Sequence, residues 1–241
     1  MNRKWLDNTS KEILREIDSL PESFDGFKKE LLERPDSING LEIIKLIELY
    51  YSEHFAIAIF EVKGKNGIYN EEYISRRNGQ FHSLRGIVLV KEKSKLTHFI
   101  VRKTERFGIA KEVYESIGNI YQPATEYQKD KIYLSTYIEN ELAKCLHLPA
   151  IKTDQFYDLG NVYTDTSMFN NIVRLFAITI EVDNLSDISV YFDNKIYNDK
   201  EYNYKIEMIP VEKFYEFFGE VADSFLLAIF GRLQALNVVK L

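Results

Sequence analysis

Between Phe55 and Arg102 the sequence leaves the helical period and runs through four strand-like segments, Phe55–Lys63, Ile68–Ile74, Leu84–Val90 and Leu96–Arg102. The first two are joined by Gly64-Lys65-Asn66-Gly67, a turn rich in residues that tolerate positive φ. The second two are joined by the charged turn around Lys93-Ser94. A sheet of this kind has to bury at least one apolar face, and segments of helical period on either side supply the cover.

On the N-terminal side, Thr9 followed by Glu12 reads as a capping box, with Ile13, Leu14, Ile17 and Leu20 as an apolar stripe that Pro21 ends. A second helix is expected over Phe24–Glu33, and a third from Gly40 with Leu41, Ile44, Leu46, Ile47 and Tyr50 inward. Residues 1–54 therefore read as a helical N-terminal extension and 55–241 as the main domain. Beyond Arg102 the pattern predicts a short strand at Glu112–Ser116 and a helix over Asp130–Leu146. Strands follow at Asp158–Tyr163, Ile172–Ile180, Ile188–Phe192 and Tyr204–Ile209, then helices over Val211–Phe218 and Glu220–Leu236. The fold class is α/β (α+β): a mixed sheet packed between helices.

The 241 residues are 45% hydrophobic, enough for a large buried core. A net charge of −6 with no long basic run argues against nucleic acid, which needs a concentrated cationic face. Cys145 is the sole cysteine, so neither a disulfide framework nor a Cys-rich zinc site is available, and His54, His82, His98 and His147 lack ligand spacing. Met1–Leu20 is charged throughout, without the apolar core of a signal peptide, and no apolar run reaches membrane-spanning length. The expectation is a cytoplasmic protein without a membrane partner.

From Arg85 to Leu236 the order of segments resembles the Nudix superfamily, in particular its ADP-ribose pyrophosphatase-like branch. Gly86-Ile-Val-Leu-Val, a turn and Phe99-Ile-Val-Arg102 look like that branch's strand pair ending in an arginine. Glu112-Val113 with Gly118 is similar to its Glu-Leu-Pro-Ala-Gly-Gly entry to the motif loop. Leu159-Gly160-Asn-Val-Tyr163 followed by Ile172-Val-Arg-Leu-Phe-Ala177 is similar to a further strand pair. Met208-Ile-Pro-Val211 and Gly219-Glu-Val-Ala-Asp223 resemble the closing strand and helix start.

The resemblance implies a Nudix-like mixed sheet sandwiched between helices, and it implies a glutamate-rich box helix for Mg²⁺. The family pattern, Gly-x5-Glu-x7-Arg-Glu-U-x-Glu-Glu-x-Gly-U with U a bulky aliphatic, is departed from here. Anchored on Glu141-Leu142, the glutamate pair becomes Lys144 and Cys145, the arginine Asn140 and the glycine His147. Hard cations need several carboxylate oxygens, a thiol is a poor magnesium ligand, and Lys144 adds positive charge. The loop glutamate that assists in this branch falls on Asn170 or Asn171, neither of which is a base.

Two functions remain open. One is a catalytically degenerate Nudix-like domain, a pseudoenzyme that binds a nucleotide or nucleoside-diphosphate derivative, or a protein partner, as a sensor or scaffold. It would need no cofactor. The other is a divergent metal-dependent hydrolase cleaving a compound such as ADP-ribose, with Mg²⁺ held by Glu141 and recruited carboxylates among Glu112, Glu115, Glu126, Asp130 and Glu139. Glu141 reads either as a lone metal ligand or as a solvated helix residue. The candidate ligand-binding residues are Arg102, Arg106, Glu112, Lys144, Tyr163 and Phe169. Arg102 and Arg106 suit a diphosphate, Lys144 is a point charge for phosphate, and Tyr163 and Phe169 offer faces for a base; each also has a purely structural reading. The N-terminal helices are a candidate surface for a protein partner or a homodimer.

Overall fold

The turn expected over Gly64-Lys65-Asn66-Gly67 is a two-residue hairpin at Lys65-Asn66: β3 (Phe55–Gly64) and β4 (Gly67–Arg76) pair antiparallel with Gly64 opposite Gly67. It belongs to a computed structural model that describes residues 3–38, 40–79, 82–118, 120–121, 136, 138–140, 143–144, 146, 153–164, 169, 171–192, 196–198 and 203–239. Two compact units can be distinguished, one of Met1–His82 with Tyr163–Ile172, the other of Ser83–Val162 with Val173–Leu241. The division falls within the strand-rich middle of the chain.

The first unit is a four-stranded sheet in the order β1-β2-β3-β4, with β1 at Ser37–Ile38 and β2 at Leu41–Tyr51. Helices α1 (Lys4–Asn8), α2 (Lys11–Asp18) and α3 (Asp25–Glu33) share its core: Trp5, Ile17, Phe27 and Leu31 join Leu46, Ala58 and Phe60 in one buried cluster. The helix expected from Gly40 is therefore a strand. Register shifts between Ile43 and Lys45 and between Leu46 and Glu48 each add a residue to β2, so its buried positions Ile43 and Leu46 lie three apart. Bulges thus imitate a helical spacing in a strand. The capping box also resolves differently. Ser10 caps α2 by accepting from the Ile13 amide, while the Thr9 hydroxyl donates to the Trp5 carbonyl at 2.7 Å and accepts from the Leu46 amide at 3.0 Å.

The second unit holds an eight-stranded sheet. Its main path is β11-β12-β6-β5-β10-β9, with β7 paired to β6 and β8 to β5. The strands are β5 (His82–Glu92), β6 (Lys95–Arg106), β7 (Lys111–Glu115), β8 (Ile120–Tyr121), β9 (Gln155–Tyr163), β10 (Ile172–Val182), β11 (Tyr197–Asn198) and β12 (Asn203–Pro210). Lys93 and Ser94 both have positive φ, 50° and 63°, which closes the β5–β6 hairpin with the twist that paired strands prefer.

Side chains alternate between two buried clusters. Val88, Val90, Ile100 and Ile178 share one with Ile138, Leu146, Ile188 and Phe192. Ile87, Leu89, Phe99, Val101 and Ala177 share the other with Phe214, Phe217, Leu226, Ile229 and Phe230. In the second cluster Phe99 meets Phe214, Phe217 and Phe230 edge-on at 6.1, 5.1 and 5.2 Å, contacts contributing about 0.5–1.5 kcal/mol each beyond burial.

Ile188–Phe192, expected as a strand, is instead α4 (Ser186–Ser189) and the turn after it. Its buried Ile188 and Phe192 are four apart, a helical interval that a short apolar run does not distinguish from a strand's. The C-terminal segment forms a 3-10 turn at Val211–Lys213, α5 (Phe214–Glu220) and α6 (Ser224–Ala235). Of the expected Asp130–Leu146 helix, Thr136, Ile138–Asn140 and residues 143–144 are helical, and the rest of that expectation lies outside the described residues except for Leu146, in a turn. Among the described residues no helix is long and apolar enough to cross a membrane.

Candidate functional site

Arg102 and Arg106 are four residues apart on β6, an even spacing that puts both side chains on one face of a strand. β7 runs antiparallel beside it with Glu115 opposite Arg102. Residues opposite one another share a face, so Glu115 reaches both arginines. Its Oε2 accepts from Arg102 Nη2 at 2.9 Å and from Arg106 Nη2 at 2.6 Å, and its Oε1 accepts from Arg106 Nε at 2.5 Å. Burial by itself raises the Glu115 pKa and is the largest single influence. The hydrogen bonds from Arg106 and the charge of Arg102 together outweigh it, and the carboxyl is held below its ordinary range.

Asp223 lies next to this clamp, just before α6. Its Oδ1 accepts from the Phe225 and Leu226 amides at 2.7 and 3.1 Å, capping the helix. Its Oδ2 accepts from the Ser116 amide at 3.1 Å and the Ser116 hydroxyl at 3.3 Å. The loop that brings Ser116 here depends on Gly118. At φ 152° its backbone passes so close to β5 that a Cβ would lie 2.0 Å from the Leu84 carbonyl oxygen.

Around these groups is an open cavity of about 400 Å³. Its lining is polar at Arg85, Arg106, Glu115, Asp223 and Ser224 and apolar at Ile109, Val113, Ala222 and Phe225. Arg85 precedes Gly86 on β5 and has the strand parity of Ile87 and Leu89, whose side chains join the cluster of the C-terminal helices. Its Nη1 reaches the Gly118 carbonyl only at 3.5 Å, and its Nε is buried without a hydrogen-bond partner. Burial pushes the Arg85 pKa down, and Arg102 pushes it further, against the pull of Asp223 and Glu115. A guanidinium nevertheless stays protonated in proteins. The lining holds two arginines and two carboxylates; with Arg102, which bonds Glu115 from outside the lining, the cluster has one positive charge in excess.

Of the residues singled out from sequence, Arg102, Arg106 and Glu115 come together in this cluster. Glu112 does not. It pairs with Glu105 across β6–β7, on the opposite parity from Glu115, is exposed, and lies 3.7 Å from Lys103 and 3.9 Å from Lys205. Lys144 is exposed on a helical turn, Tyr163 is exposed at the end of β9, and half-buried Phe169 makes an isolated bridge to Ile74; none lines the cavity. Glu139 accepts from the Thr153 amide at 3.2 Å. Glu141, Cys145, Glu126 and Asp130 lie outside the described residues.

The sequence reading missed Arg85 and Asp223. An arginine at the apolar parity of a buried strand, and an aspartate three residues before Leu226, were the available signals.

Magnesium, which the resemblance implies, needs several free carboxylate oxygens. The two carboxylates of this cavity do not fit that need, since both oxygens of Glu115 already accept from arginine and both of Asp223 from backbone or Ser116 donors. Among the described residues no three of His, Cys, Asp and Glu cluster as metal ligands.

No protein-family model matches this chain, and no curated protein does. A solved structure described as "Crystal structure of ADP compounds hydrolase" matches with a TM-score of 0.54 at 13% sequence identity, covering 84% of this chain and 99% of that one. At that identity the likeness speaks for the fold, and it supports the Nudix-like fold that the sequence resemblance implies.

Proposed function

We propose that the cavity binds a nucleotide or nucleoside-diphosphate derivative without requiring a divalent cation, and that the chain acts as a binding module rather than as a standard Nudix hydrolase. The observation that carries this reading is the charge of the cluster at the cavity. Arg85 and Arg106 line it beside two carboxylates whose oxygens are already engaged, and Arg102 bonds Glu115 from outside the lining, so the cluster offers positive charge to an anion and no oxygen set to a metal. The apolar wall of Ile109, Val113 and Phe225 suits the uncharged part of such a ligand. The fold shared with a protein described as acting on ADP compounds narrows the ligand class in the same direction. The departures from the family's box pattern at Lys144 and Cys145 support the absence of standard hydrolysis.

Hydrolysis with Mg²⁺ on Glu141 is the second reading, and the likeness to that hydrolase is what favours it. A thermal-shift screen against ADP-ribose, NAD and UDP-glucose, each with EDTA and with magnesium, separates the two. Binding-induced stabilisation in EDTA supports the module. Stabilisation that appears only with magnesium, together with AMP release abolished by Glu141→Gln, supports the enzyme.

A further inference from the structure

Resting on the binding reading above, we infer that Arg85, rather than the more conspicuous pair Arg102 and Arg106, is the residue that holds the phosphoryl oxyanion of the ligand. Glu115 takes two hydrogen bonds from Arg106 and one from Arg102, of 2.5–2.9 Å; Arg102 keeps a buried Nε without a partner, as Arg85 does, but it does not line the cavity. Asp223 has four donors on its two oxygens and no acceptor capacity to spare for Arg85. Arg85 is thus left with one long bond to the Gly118 carbonyl and a buried Nε without a partner, on the wall of a cavity large enough for a ligand.

A half-buried guanidinium whose Nε is buried without a partner is costly to the fold unless something else satisfies it. A phosphoryl group presents paired oxygens whose spacing matches two N–H donors of the fork, and it brings the charge the cluster lacks. The apolar part of the lining, with Ile109 and Phe225, suits a ring or sugar attached to the phosphoryl group. Lysine would keep the charge at this position but not the fork.

The arrangement makes two separable demands. Arg85→Gln should lower the affinity for inorganic pyrophosphate and for ADP-ribose by about tenfold or more, because a charge-assisted pair is lost. The same substitution should leave the melting temperature unchanged or raised, because it removes a half-buried charge that lacks a full set of partners. Arg85→Lys should recover only part of the affinity. Lys213→Gln, an exposed change away from the cavity, should alter neither.

The test is calorimetric titration of wild type and these three variants with pyrophosphate and with ADP-ribose in EDTA, beside thermal unfolding of each. Loss of binding in Arg85→Gln with retained stability supports the assignment. Equal ADP-ribose affinity in wild type and Arg85→Gln overturns it and leaves the binding reading standing. Arg85-dependent binding of pyrophosphate without binding of any nucleotide derivative upholds the assignment and removes the nucleotide reading. A marked fall in melting temperature on Arg85→Gln, or no binding of either probe to wild type at millimolar concentration, overturns the assignment.

Discussion

Replacing Glu115 with glutamine removes the charge that two arginines share and leaves their guanidiniums beside Arg85. The Glu115 side chain is 11% exposed, against 13% and 27% for Arg102 and Arg106, so water replaces little of what is lost. Removing one partner of a buried ion pair costs about 3–5 kcal/mol, and the retained amide oxygen and the partial exposure of Arg106 bring the expectation to about 2–3 kcal/mol. For a chain of this size each kcal/mol lowers the melting temperature by about 2–4 °C, so Glu115→Gln should melt roughly 4–12 °C lower.

The pH dependence carries the same signature. The folded carboxyl is held below its ordinary value of 4.5, so its contribution is complete above that pH and is lost as the pH falls through the folded value. Thermal unfolding followed by circular dichroism, from neutral pH downward, should show wild type losing its advantage over Glu115→Gln below about pH 4.5. Equal melting temperatures at pH 7, or parallel pH profiles down to acid, would refute the reasoning.

Three further changes probe the frame around the cavity. Gly118→Ala drives a Cβ into the Leu84 carbonyl and should cost more than about 1 kcal/mol, seen as a lower denaturant midpoint at unchanged slope. Asp223→Ala uncaps α6 and frees Ser116, so it should cost about 1–2 kcal/mol in chemical denaturation and loosen the loop in hydrogen exchange at Ser116. Leu46→Ala, at a position 1% exposed in the first unit, should cost about 2–5 kcal/mol; a change within 0.5 kcal/mol would contradict the strand register of β2.

Much of the fold was legible in the sequence because strand parity and turn chemistry are local. Gly64–Gly67 and Lys93-Ser94 announce their hairpins, and Phe99 to Arg102 already shows which residues face the core. β2 was not legible, because two bulges space Ile43 and Leu46 as a helix would, and only pairing with β3 reveals them. The 186–192 segment failed for a related reason, since short apolar runs fit either period.

At the site, Arg102 and Arg106 were readable from their charge and spacing. Of the nearby acids, the sequence alone places Glu112 among the ligand-binding residues and Glu115 only among the recruited carboxylates, because the register of β7 with β6 depends on long-range pairing. Two arginines at an even spacing on one strand face do ask for an acid on the neighbouring strand. Choosing Glu115 over Glu112 needed the register. Arg85 went unnoticed because a charged residue beside Gly86 reads as the start of a strand, whereas the cavity shows it facing Asp223 and Glu115.

The central claim is that this site takes a nucleoside-diphosphate derivative on protein cations rather than through a bridging metal. Calorimetric titration of the full chain with ADP-ribose, in EDTA and again in magnesium, with AMP release measured on the same samples, addresses it directly. The account predicts saturable binding in EDTA that weakens as salt is raised, little changed by magnesium and without AMP release at enzymatic rates. Binding that needs magnesium and ends in AMP would contradict it.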